Sequence, residues 1–176
     1  MPVMDSHYDQ VMKARENAEG GSRLYFAYST ILDRDAFVEW RSQHGYDFFE
    51  LPEGRLAQAT DVGLVYDFPS RWWGGRVAGL EDRPGETVWG RVFEIGAKDW
   101  PIIGHKEGAV TSMSVERSVK LRLEDGTELE ATAFTTNPRR ASNEGKVSPR
   151  FIEALVRGAH SAGLPREWVE RVGRGE

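Results

Sequence analysis

The sequence predicts an α+β fold: a mixed, mainly antiparallel β-barrel, closed or nearly closed, with flanking helices. Three observations carry this. The middle of the chain is rich in strand-forming residues, its connections are short enough to be antiparallel, and its clearest helical periods lie near the two ends. The chain has 176 residues, 39% of them hydrophobic and 29% charged, which is the composition of a globular domain able to bury a sizeable core. It contains no cysteine, which excludes disulfides, thiolate catalysis and cysteine zinc sites. A formal net charge of -5 argues against nucleic acid as a partner. No apolar run approaches the roughly 18 residues of a membrane span, and the N-terminus lacks the apolar core of a secretory signal. The expected location is cytoplasmic, with no membrane partner and a small molecule as the ligand.

Residues 1–22 read as a peripheral arm, flexible or weakly helical, and residues 23–176 as the folded domain. Within the arm, Tyr8, Val11, Met12 and Arg15 allow an amphipathic helix between Asp5 and Ala18. Leu24–Leu32 follows as a strand through Tyr25, Phe26 and Tyr28, ending at the small residues Ser29 and Thr30. Such a corner can turn several backbone N–H groups into one cavity, a nest for a carboxylate or oxyanion; the plainer reading is a first strand leading into a core helix. Asp33 is placed to cap a helix to about Gln43, with Phe37, Val38, Trp40 and Arg41 setting its period and Gly45 ending it.

Strands are then expected near Arg55–Thr60, Gly63–Phe68 and Arg76–Leu80. Trp72-Trp73-Gly74-Gly75 between them is a loop that either lines a pocket or anchors on the core. Pro84-Gly85 suits the centre of a type II turn, after which Thr87–Ile95 is a strong strand whose Gly90 marks a bulge or a close backbone approach. Asp99 and Pro101 start a short helix that delivers His105, Lys106, Glu107 and Gly108. In the hairpin that follows, apolar residues fall on odd numbers: Met113, Val115, Val119, Leu121 and Leu123, then Leu129, Ala131 and Ala133. That parity selects a three-residue loop, Glu124-Asp125-Gly126, which pairs Leu121 with Leu129 and puts Gly126 in the left-handed position. Asn137–Val147 is a long polar loop, functional or mobile. Ser148-Pro149 opens a helix with Phe151, Ile152, Leu155, Val156 and Ala159 on one face, Gly163 ends it, and Pro165 starts a last helix to Val172.

The four histidines, His7, His44, His105 and His160, are scattered and carry no metal-binding spacing, so no metal is expected. No serine elbow, phosphate loop or dinucleotide fingerprint is present. The carboxylate that stands out is Glu107. At a helix end it is either solvated surface or, in an apolar pocket, an acid/base whose pKa is raised.

The chain resembles the γ-glutamylcyclotransferase family over about residues 24–172. The marks are Tyr-Phe-Ala-Tyr at 25–28, Trp72-Trp73-Gly74-Gly75-Arg76-Val77-Ala78, Pro84-Gly85-Glu86-Thr87-Val88-Trp89-Gly90, Glu107-Gly108, Thr136-Asn137, and Ser148-Pro149-Arg150-Phe151 through Gly163-Leu164-Pro165. The resemblance implies a β-barrel with flanking helices, commonly dimeric, that releases a γ-glutamyl group as 5-oxoproline without cofactor or metal. It implies Glu107 as the catalytic acid/base. It makes Tyr25, Phe26, Ala27, Tyr28, Ser29 and Thr30 the glutamyl-binding stretch, with Phe151 at a substrate-contacting position. Departures accompany it. Where the family reads Tyr-Gly-Ser-Asn-Leu, this chain has Tyr28-Ser29-Thr30-Ile31-Leu32, and family tyrosines fall on Phe151 and Ser114. The resemblance therefore implies a cyclotransferase of altered substrate, including one that removes a γ-glutamyl cap from a natural product. The alternative is a non-catalytic fold member that binds a small carboxylate ligand or a protein partner.

Overall fold

The computed structural model describes residues 7–176. Strand β1 (Ser22–Ala27) opens a closed barrel of order β1-β3-β2-β4-β5, completed by β2 (Arg55–Ser70), β3 (Gly75–Gly96), β4 (Ser114–Leu123) and β5 (Glu128–Thr136). Neighbours run antiparallel except β1 and β5, which close the ring in parallel at Tyr25 opposite Thr132. Closure removes the unpaired edges an open sheet would leave. The mainly antiparallel barrel with flanking helices agrees with the fold class expected from the sequence.

The strands differ from expectation in one instructive way. Arg55–Thr60 and Gly63–Phe68 are one strand, and Arg76–Leu80 and Thr87–Ile95 are another. Pro84-Gly85 does not reverse the chain. Thr60 pairs with Thr87 and Val62 with Asp82, so Asp61 alone faces residues 83–86. The excursion is held by the Gly85 N–H, which donates to Asp61 Oδ1 at 2.8 Å; both Gly85 (φ +82°) and Asp61 (φ +59°) are left-handed. The same Pro-Gly chemistry serves a hairpin turn or a bulge, and only the partner strand decides which. The true reversal is Arg71–Gly74, where the Gly74 N–H donates to the Ser70 carbonyl at 3.0 Å.

Gly90 marks a close approach. Its pairing with Ala57 is continuous, and a Cβ there would stand 2.2 Å from the Ala27 carbonyl oxygen. The β4–β5 hairpin has the expected register, Leu121 opposite Leu129, with Gly126 at φ +86°. Its alternation fails only near the start: Val115 is exposed while Ser114 is buried. There the even-numbered face is the covered one, because Phe134 on β5 packs against Tyr25 and Trp100.

Helix α1 (Tyr8–Asn17) lies within the expected Asp5–Ala18 span, whose first two residues fall outside the described ones. It buries Val11, stacks Tyr8 on Tyr46, and ties Arg15 to Asp99 at 2.7 Å. Helices α2 (Arg34–Gln43), α3 (Trp100–Glu107), α4 (Pro149–Ser161) and α5 (Arg166–Gly173) follow. Ser148 caps α4 by accepting from the Phe151 N–H at 3.1 Å. Asp33 and Asp99 occupy cap positions without a side-chain cap bond, because Asp33 is bound by Arg157 and Asp99 by Arg15. On α2, Val38 is exposed rather than core-facing. The polar 137–147 loop is pinned at its end: Arg76 N–H donates to the Lys146 carbonyl and Ser148 N–H to the Arg76 carbonyl, at 2.9 and 3.0 Å. Among the described residues no helix is long and apolar enough to cross a membrane.

Candidate active site

The last turn of α3 sends three consecutive side chains in three directions. His105 is buried, its Nδ1 2.8 Å from the Tyr46 hydroxyl. Lys106 and Glu107 are half-buried and line a cavity. Gly108 makes the arrangement possible. At φ +89° it ends the helix in a left-handed cap, and its carbonyl accepts from the N–H groups of Met113 and Ser114. The chain thereby passes from α3 into β4 within a few residues, leaving Glu107 at the barrel mouth.

Beneath Glu107 lies β1. Tyr25 is 1% exposed, ringed by Phe93, Trp100 and Phe134, and its hydroxyl donates to Glu107 Oε1. Burial, and then the Glu107 carboxylate, raise the Tyr25 pKa well above that of an ordinary phenol, so it remains a donor. Burial likewise raises the Glu107 pKa above the ordinary carboxylate value. The Lys106 charge and the Tyr25 hydrogen bond oppose the rise without cancelling it. A buried carboxyl group whose pKa is raised suits general acid/base work.

Past Ala27 the chain leaves the sheet, and Thr30–Leu32 forms one turn of 3-10 helix. Its carbonyls are used, Ser29 by the Leu32 N–H and Thr30 by the Asp33 N–H, at 3.2 and 3.0 Å. The N–H groups of Ser29, Thr30 and Ile31 donate to no group among the described residues. Ser29 sits at φ -125°, ψ -150°, ordinary extended backbone, so a serine in place of the family's glycine introduces no strain.

One cavity of about 280 Å³ joins these features. Tyr28, Ser29, Thr30, Lys106 and Glu107 line it from β1 and α3; Phe68, Trp72 and Trp73 from the β2–β3 turn; Ser114, Phe134 and Thr136 from the strand ends; and Phe151 from α4. Of the residues expected to bind substrate, Tyr28, Ser29, Thr30 and Phe151 are therefore on its wall. Tyr25 stands behind Glu107 and touches the site through the hydroxyl–carboxylate bond. Phe26 and Ala27 are fully buried and do not line it; Phe26 stacks under Tyr28, whose hydroxyl donates to the Phe134 carbonyl at 2.5 Å. Tyr28 is thus committed to the scaffold rather than free for a ligand.

The tryptophan pair divides its work. Trp73 packs edge-on against Phe151 at 5.7 Å between ring centres, while Trp72 is 60% exposed at the rim. Phe134, which also lines the cavity, carries no signal of its own in the sequence, and two further lining residues carry only a weak one. Trp40 reads there only as part of the α2 period, and Lys106 only as a neighbour of Glu107. Ser114, noted for its departure, has a buried hydroxyl without a hydrogen-bond partner among the described residues.

The histidines are less scattered in space than in sequence: His7 and His44 lie 5.8 and 5.1 Å from His105, ring centre to centre. They pack with Trp40 and Tyr46 as an aromatic cluster. Among the described residues no group of three His, Asp or Glu side chains is placed to hold a metal ion. A larger cavity, about 570 Å³, lies on the other side of the 3-10 turn and contains neither Glu107 nor Thr30. Two of its arginines serve as braces: Arg41 donates to the Phe49 carbonyl, and Arg91 to those of Gly54 and Ala162.

Comparison with known proteins finds relatives in sequence and in fold. The AIG2-like family matches residues 87–172, which include Glu107. Human γ-glutamylcyclotransferase is 28% identical over 153 residues, 86% of this chain and 77% of its own length. The bovine protein of that name is 27% identical over 157 residues, 88% and 79% of the two chains. The resemblance to the γ-glutamylcyclotransferases holds. A solved γ-glutamyl cyclotransferase shares the fold, with a TM-score of 0.70 at 23% identity over 86% of each chain. An uncharacterized human protein superposes with a TM-score of 0.66 at 25% identity, again over 86% of each.

Proposed function

We propose that this chain is a cofactor-free γ-glutamylcyclotransferase-like enzyme, with Glu107 as its general acid/base and the 28–31 corner as its glutamyl-binding nest. The observation that carries the reading is one cavity that pairs a carboxyl of raised pKa with backbone N–H groups lacking an acceptor. The likeness to curated cyclotransferases over most of the chain supports the reaction class.

The substrate's own α-amine is the nucleophile. Glu107, ionised, takes a proton from the α-ammonium, and the free amine attacks the γ-carbonyl. A new N–C bond closes the five-membered ring, and the carbonyl oxygen gains negative charge. The protonated Glu107 then gives its proton to the departing nitrogen as the oxyanion returns to a carbonyl and the old C–N bond breaks; the ring nitrogen's remaining extra proton passes to the same released nitrogen, leaving 5-oxoproline and the leaving group as its ammonium ion, with Glu107 ionised again. Unpaired N–H groups at Ser29 and Thr30, both lining residues of the cavity, supply donors for the substrate α-carboxylate or the oxyanion. The phenol of Tyr25 holds the acid/base in place. A cytoplasmic location fits the cysteine-free composition, and a homodimer is expected from the resemblance.

The test is 5-oxoproline release from a panel of γ-glutamyl amino acids, peptides and amines, with Glu107→Gln alongside. Product from at least one substrate and none from the variant is expected. No product, or a variant as active as wild type, overturns the reading; saturable binding without turnover would favour a non-catalytic carboxylate-binding protein.

A further inference from the structure

A second carboxylate stands behind the cavity wall. Strand β2 pairs Val65 with Gly79 and Phe68 with Val77, so Tyr66 and Asp67 together face Ala78 alone. Such a bulge breaks the alternation of the strand and re-aims a side chain. Here it brings the half-buried Asp67 to Thr136 on β5, whose hydroxyl donates to Asp67 Oδ1 at 2.7 Å. Gly79 leaves room for the pair: a Cβ on it would stand 2.5 Å from Thr136 Oγ1. Among the described residues Asp67 has no ion pair, and this hydroxyl is the one donor to its side chain. The neighbouring Thr135 gives the contrast. Leu80 uses its hydroxyl in both directions: Thr135 Oγ1 accepts from the Leu80 N–H at 2.8 Å and donates to the Leu80 carbonyl at 3.1 Å. Thr136 lines the cavity with its proton committed to Asp67, and no group among the described residues donates to its oxygen. A threonine hydroxyl has one proton to give, so towards the cavity Thr136 can only accept. The charge of Asp67 is also felt at this wall. Burial, then Glu107 and then Asp67, raise the Tyr28 pKa well above that of an ordinary phenol, against the opposing charge of Arg117.

The reaction calls for an acceptor beyond Glu107. The substrate nitrogen is positive twice, as the α-ammonium before its first proton leaves and as the ring nitrogen after attack on the γ-carbonyl. In the second state Glu107 holds the proton it has taken and is neutral, so it no longer balances that charge. The carboxylate and the ammonium on the wall are those of Glu107 and Lys106, and the second has the wrong sign. We infer that Asp67 is a positioning residue acting through Thr136: it holds the Thr136 proton away from the cavity, so that the oxygen accepts an N–H of the substrate's α-ammonium. One N–H held there leaves another for Glu107 and sets the direction from which the freed lone pair meets the γ-carbonyl. No proton passes to Thr136 or Asp67. The inference rests on the cyclotransferase reading, and binding tests it apart from turnover.

Calorimetry on the Glu107→Gln protein removes the first carboxylate and leaves Asp67 as the one under test. The probes are γ-glutamylalanine and glutarylalanine, which has hydrogen in place of the α-ammonium and is otherwise the same. The ammonium compound should bind about tenfold or more tightly, the worth of one charge-assisted hydrogen bond. Asp67→Asn or Thr136→Val, added to Glu107→Gln, should bring that ratio close to one. Thr136→Ser keeps the hydroxyl and should preserve it. A pair that only ties β2 to β5 would, when broken, weaken both probes alike and leave the ratio unchanged. That result overturns the inference, as does equal affinity of the two probes before Asp67 is altered, or binding of neither. If the preference and its loss with Asp67 are seen but wild type forms no 5-oxoproline from any γ-glutamyl compound, the cyclotransferase reading falls and the ammonium site stands.

Discussion

Tyr25→Phe isolates a single hydrogen bond, the one from the Tyr25 hydroxyl to Glu107 Oε1. Phenylalanine keeps the ring among Phe93, Trp100 and Phe134, so packing is preserved and only the donor is lost. A hydrogen bond to a charged group is worth about 1.5–3 kcal/mol. Spent entirely on holding Glu107 in the transition state, that is roughly a 10- to 150-fold loss in kcat/KM. The pH dependence gives the sharper test. The Tyr25 bond lowers the Glu107 pKa against the larger effect of burial, so removing it lets the pKa rise further. Glu107 must be ionised to accept the ammonium proton, so the acidic limb of the rate profile should move to higher pH. Stability should follow the same sign: the variant loses more stability at neutral pH than in acid, because the bond favours the ionised form. The assay is 5-oxoproline release from pH 4 to 9 on both proteins, with urea denaturation at the two ends of that range. An unmoved acidic limb, or one moved to lower pH, would refute the coupling between Tyr25 and Glu107.

Other outcomes follow from the same structure. Because burial raises the folded-state pKa of Glu107 above its unfolded value, its contribution to stability is full below the ordinary carboxylate range and is lost as pH rises through the raised value. Glu107→Gln should therefore flatten the fall in urea midpoint between acid and neutral pH, and a variant with an unchanged slope would contradict this. Gly90→Ala puts a Cβ against the Ala27 carbonyl and should cost about 3 kcal/mol or more in chemical denaturation. Gly104→Ala, whose Cβ would meet only Ala109 at 3.7 Å inside α3, should stabilise by about 0.5–1 kcal/mol. Ser114→Ala removes a buried hydroxyl that has no partner among the described residues, so thermal unfolding should show no loss of stability. A rise in KM for the same variant would mark that hydroxyl as a substrate contact.

How far the site could be read in advance depended on whether its signal was local. Glu107-Gly108 is local: a carboxylate at a helix end followed by a glycine that alone tolerates φ +89° is legible without coordinates. So is the Tyr25–Thr30 corner, where a strand ends in small residues. The protonation balance of Glu107 is not local. It arises because Tyr25, 82 positions earlier, lies beneath it on a neighbouring strand and because the surroundings exclude water. The cavity itself depends on α2, α4 and the β2–β3 turn, which meet only in the folded barrel.

The chain by itself determined most of the helix and strand segments and their apolar faces, Val38 and Val115 excepted, because those follow from residue spacing and backbone preference over a few positions. It also determined the hairpin register, since a one-residue slip would turn Leu121 and Leu129 outward. Tertiary structure decided whether Pro84-Gly85 turns or bulges, whether Asp33 and Asp99 cap or pair, and which residues of the Tyr25–Thr30 stretch line the cavity. Those are choices between partners far apart in sequence, and the free energy separating them exists only once both partners are in place.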